Sequence, residues 1–81
     1  MLRTLEEIHG DHSDSPALRG LVDVLHEKLR LRARYALLEY EASLEGRPEC
    51  SELYRALSRI ESDQIARLSS ALAVELQLEA A

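Results

Sequence analysis

Gly46-Arg47-Pro48 constrains this 81-residue chain more than any other stretch. Glycine is favoured just past a helix end, and proline at the first position of the next helix. No proline lies between Ala17 and Glu45, and none follows Pro48. Two long helices joined by so short a loop must pack as antiparallel neighbours. The turn therefore predicts an all-α fold, a long antiparallel helical hairpin with helices at about 16–45 and 48–78. Ser15-Pro16 gives the first helix a strong start, an N-cap serine followed by proline at the first helical position. At 1.5 Å per residue that helix is a rod of roughly 45 Å.

Upstream, LRTLEEIH (residues 2–9) can form a short helix with Leu2, Leu5 and Ile8 on one side. Gly10 and the turn formers of DHSDS should end it. The chain then divides into an N-terminal short helix with a polar linker (1–14) and the hairpin (15–81).

Apolar residues recur at helical spacing on both rods. Leu18, Leu21, Val22, Leu25, Leu29, Ala36 and Tyr40 form one stripe, widened by Val24, Leu31, Tyr35, Leu38 and Ala42. On the second helix the stripe runs through Leu53, Tyr54, Leu57, Ile60, Ile65, Leu68, Ala71, Leu72, Leu76 and Leu78. Stripes this wide exceed what one helix can cover. A homodimeric four-helix bundle or higher oligomer is therefore expected. With 46% apolar and 31% charged residues, the chain has core-forming capacity rather than the composition of a disordered segment.

A net charge of −5 argues against nucleic acid, whose phosphates need a basic surface. Lys28, Arg30, Arg32 and Arg34 form the one basic cluster, interleaved with Leu and Ala on a helix. No apolar run approaches the ~18 residues of a membrane span, so no membrane partner is expected. MLRTLEEIHGDH has no apolar core of a secretory signal, and the lone Cys50 allows no intrachain disulfide. A reduced, cytoplasmic setting is the expectation.

Six polar residues fall within or at the edge of the stripes that should be buried: Lys28, Arg32 and Glu39, then Glu61, Gln64 and Glu75. A buried ionised group is costly unless it is paired, metal-bound or neutralised. Three arrangements meet that cost. Long side chains at a stripe edge can reach water. Carboxylates of Glu39 or Glu61 can meet Lys28 or Arg32 and set helix register. Inward carboxylates on facing helices can also hold metal, as in di-iron bundles.

The run YALLEYEASLEGRPECSELYRALSRIESDQ resembles the first helix, turn and second helix of rubrerythrins, in the ferritin-like superfamily. The matching positions are Tyr35, Gly46, Pro48, Glu49, Leu53, Tyr54, Arg55, Ala56 and Glu61, over about half the chain. The resemblance implies a ferritin-like half-bundle that dimerises to complete four helices. It also implies an ancestral iron site, from which this chain departs. Gln64 stands where the family's Glu-x-x-His motif has its histidine. Lys28 stands where the first helix has its glutamate, seven residues before Tyr35. Of the three ligands only Glu61 remains, and Lys28 is expected to pair with it. In related encapsulated proteins a first-helix glutamate joins the motif across a dimer interface, a place Glu39 could take. A site of iron or another divalent metal would then draw on Glu39, Glu61 and Gln64.

Other chemistry-bearing residues are sparse. His9, Asp11, His12 and Asp14 lie in HGDHSD, a polar linker that could catch a divalent ion weakly. His26 reads as a surface histidine. Cys50, in the first turn of the second helix, has no histidine nearby in sequence and reads as a bland cysteine. Neither a Ser-His-Asp set nor a phosphate-cradling glycine loop is visible. The leading expectation is a non-enzymatic, ferritin-like structural or interaction protein with a degenerate metal site, such as an accessory subunit of a larger assembly. A ferroxidase-type protein and a small helical regulator binding another protein are the alternatives.

Overall fold

The computed structural model describes residues 15–80. They form two helices, α1 (Pro16–Leu44) and α2 (Pro48–Ala80), of 29 and 33 residues. Both are rich in Ala, Leu, Glu and Arg, the residues that lose least on becoming helical. The short helix expected at 2–9 lies outside the described residues.

Local chemistry sets the start of α1 and the turn between the helices. Ser15 takes an extended conformation and its Oγ accepts from the Leu18 N–H at 3.3 Å. Its carbonyl accepts the first helical bond, from the Arg19 N–H at 3.1 Å. At the other end, the Arg47 N–H donates to the Ala42 carbonyl at 2.9 Å and the Gly46 N–H to the Ser43 carbonyl at 3.1 Å. That pair of bonds is a Schellman cap, which satisfies carbonyls the ending helix would leave bare. It requires Gly46 to adopt φ of 70°. Pro48 then opens α2, and the Ser51 N–H donates to the Arg47 carbonyl at 3.0 Å to begin its ladder.

The two helices meet along one seam. On α1 the less exposed positions are Leu18, Leu21, Leu25, Lys28, Arg32, Tyr35, Glu39 and Ala42, with Leu38 half-buried beside them. On α2 they are Ser51, Tyr54, Ser58, Glu61, Ile65, Leu68, Leu72 and Glu75, with Leu57 and Ser62 half-buried beside them. Both sets alternate steps of three and four residues, the repeat of an antiparallel coiled coil. The seam is apolar toward the open end, where Leu18, Leu21 and Leu25 run beside Ile65, Leu68 and Leu72. Toward the turn it becomes polar. The Tyr35 and Tyr54 rings stack there with centroids 6.3 Å apart, and the Ser43 and Ser51 hydroxyls meet at 3.0 Å.

One seam cannot make a deep core. Among the described residues, the buried apolar side chains are Leu18 and Ala42. The radius of gyration is 17.1 Å, where a compact chain of this length has about 12 Å. Several residues expected in the buried stripes are instead exposed, among them Val22, Leu29, Tyr40, Leu53, Ile60, Leu76 and Leu78. Each helix carries more apolar arc than its one neighbour covers.

The two glycines of the hairpin should respond oppositely to alanine. A Cβ meets nothing within 4 Å at either position, so backbone conformation alone decides. Gly46→Ala should cost about 1–2 kcal/mol, because φ is positive there. Gly20→Ala, inside α1, should gain about 0.5–1 kcal/mol. Urea denaturation followed by helical circular dichroism, at one protein concentration, checks both signs.

Candidate functional site

The polar half of the seam is where the chain places charge inside the fold. Lys28 and Glu61 sit at seam positions of facing helices, so closing the hairpin brings them together. The Lys28 Nζ donates to both carboxylate oxygens of Glu61, at 3.3 Å to Oε1 and 3.1 Å to Oε2. The Glu61 side chain is 7% exposed and that of Lys28 is 28% exposed. The carboxylate is therefore withdrawn from water, while the ammonium keeps part of its hydration. Burying this carboxylate is tolerable because a full opposite charge faces both oxygens.

Two further contacts flank this pair toward the turn. The Arg32 Nη1 donates to the Ser62 Oγ at 3.3 Å. The Arg55 Nε donates to the Glu39 Oε2 at 2.9 Å. The Glu39–Arg55 pair is more exposed, 25% and 57% for the two side chains, and is worth about 0.5 kcal/mol. Arg47 and Glu45, 3.8 Å apart and both 69% exposed, add little at the turn.

Of the six polar residues assigned inward from the sequence, Lys28, Arg32, Glu39 and Glu61 lie along the seam. They form a ladder of separate contacts with α2 or α1 rather than one cluster. Glu75 is half-buried near the open end, beside a shallow cleft lined by Ala17, Gly20, Val24 and Ala71. Gln64 departs from the expectation: it lies exposed on the outer flank of α2. Three residues after Glu61, it steps past the seam, whose next positions are Ile65 and Leu68. Arg55 and Ser62, neither of them among the six, supply partners to Glu39 and Arg32. Only the relative register of the helices reveals those pairings.

Glu61 has both oxygens engaged by the ammonium, so a cation at this carboxylate must first displace Lys28. Among the described residues, no three His, Cys, Asp or Glu side chains gather in a metal-binding group. His26 and Cys50 are exposed. His9, Asp11, His12 and Asp14 lie outside the described residues. No described helix is long and apolar enough to cross a membrane. Compared with protein-family models, curated proteins and solved structures, the chain gives no match.

Removing one member of the buried pair should be worse than removing both. Lys28→Met leaves the Glu61 carboxylate buried without a counter-charge. The loss should be about 2–3 kcal/mol, at or below the bottom of the range for fully buried pairs because Lys28 is partly hydrated. Lys28→Met with Glu61→Leu should recover most of that loss. Denaturation of the single and double variants measures the difference.

Proposed function

We propose that this chain is a non-enzymatic structural or interaction protein whose hairpin is half of a self-associating helical bundle. The observation that carries the reading is the exposed apolar surface left on both helices after the seam has closed. Val22 is 47% exposed, Tyr40 62%, Leu53 57% and Ile60 51%. Monomeric proteins rarely leave large contiguous apolar patches open to water. Here such residues recur along helices on flanks that the hairpin contact does not reach.

The inner seam supports the same reading. Its charged side chains are directed at one another, with Lys28 closing on Glu61 and Arg55 on Glu39. A paired layer of this kind selects one helix register, a structural role rather than a chemical one. The resemblance to a ferritin-like half-bundle, with two of its three ligand positions altered, agrees with assembly retained and metal chemistry given up. A role as the accessory subunit of a larger assembly follows from that combination.

Light scattering over a range of concentrations tests the reading. The expected mass is that of two chains or a multiple, with a thermal midpoint that rises with concentration, as mass action requires. A hairpin that stays monomeric and fully helical throughout the micromolar range overturns it.

A further inference from the structure

The outer flank of α2 carries a second row with the three-four repeat, running beside the seam, with Leu57 half-buried and Ala71 at the edge of the cleft against α1. Its exposed members include Leu53, Ile60, Val74 and Leu78, and Gln64 and Arg67 interrupt it at the middle. We propose that this row is the face on which a second copy of the chain docks, α2 against α2 in antiparallel register about a two-fold axis. This rests on the self-association proposed above and names its surface and geometry.

The row is complementary to itself in one register. With the axis between Ile65 and Ala66, Leu53 faces Leu78 of the second copy, Leu57 faces Val74 and Ile60 faces Ala71. Gln64 then faces Arg67, so the polar positions meet each other and every remaining layer is apolar. Sliding by one heptad sets Arg67 against Leu57 or Ala71 and Gln64 against Ile60 or Val74, leaving polar groups opposite apolar ones. A two-fold interface demands this kind of self-complementarity.

Charge points to the same register. Asp63 flanks the row one turn before Arg67, and neither joins an ion pair within the hairpin among the described residues. In the proposed dimer Asp63 of each copy lies beside Arg67 of the other, giving two opposite-charge pairs across the axis. The competing apolar row on α1, through Val22, Leu29, Ala33 and Tyr40, lacks this feature. Paired antiparallel, its best-matched layers bring the two Arg30 residues together. Area permits the contact. The chain exposes 6453 Å², where a compact monomer of its mass exposes about 4,900 Å². The excess surpasses the roughly 800 Å² each partner gives to a standard interface. From Leu53 to Leu78 the row spans roughly 38 Å of helix.

Cross-linking and charge exchange test the geometry. In a Cys50→Ser background, one chain carries Ile60→Cys and another Ala71→Cys. Mixed and oxidised, they should form a disulfide-linked dimer. Each alone should not, because like positions are then roughly 16 Å apart along the axis, beyond disulfide reach. Asp63→Arg or Arg67→Asp alone should weaken dimerisation at least tenfold, and the double exchange should restore it; these positions are exposed, and circular dichroism confirms unchanged helicity. A wild-type dimer whose 60/71 mixture fails to cross-link overturns the proposed face while leaving self-association intact. Cross-linking through Val22→Cys with Tyr40→Cys in its place does the same. A monomeric wild type overturns both.

Discussion

Closing two helices against each other with a charged pair in the contact is the constraint on which the rest of this structure depends. The Lys28 ammonium lies against both oxygens of a nearly buried Glu61 carboxylate. Slipping one helix by a turn breaks this contact: one direction sets Glu61 against Leu25 and the other sets Lys28 against Ile65, so either way a charge is left facing an apolar side chain. The apolar half of the seam, Leu against Leu and Ile, tolerates sliding more easily, because such contacts are not directional. The charged half therefore supplies specificity and the apolar half supplies most of the attraction. The Schellman cap at Gly46 fixes where the two halves begin.

That division sets the inner polar groups of this seam apart from those of a metal-binding bundle. Metal ligation in a helical bundle needs several carboxylates or imidazoles converging on one point. Here the inward charges are spread along the seam, and Lys28, Arg32 and Glu39 each meet a separate partner. Lys28 with Glu61, Arg32 with Ser62 and Glu39 with Arg55 form rungs of a ladder. A ladder distributes charge along an interface and sets register. Under the proposal made above, it leaves the outer flanks free for assembly.

The same geometry limits what one chain can do alone. A two-helix contact buries a stripe on each helix and leaves the remaining arc in water. Both helices here carry apolar side chains well beyond that stripe, from Val22 to Tyr40 on α1 and from Leu53 to Leu78 on α2. The hydrophobic effect acts on that exposed area whatever the partner, and a second copy is always available at the concentration of the first.

Local chemistry made much of this fold legible from the residues themselves. Ser15-Pro16 and Gly46-Arg47-Pro48 marked the helix ends, because capping depends on neighbours within a few residues. Helical periodicity also placed Lys28 and Glu61 inward, since both interrupt apolar runs at seam spacing. It could not decide which of two apolar arcs on α2 faces α1, because both repeat every three to four residues. Gln64, Leu53 and Ile60 consequently lie on the outer flank, and Arg55 and Ser62 contribute to the inner ladder. Amino-acid order alone determined two helices, their turn and the presence of charge in the contact. Which arc closes, and that Arg55 meets Glu39 and Ser62 meets Arg32, was decided only when the two helices were brought together. Register is a property of the pair of helices and is absent from either one alone.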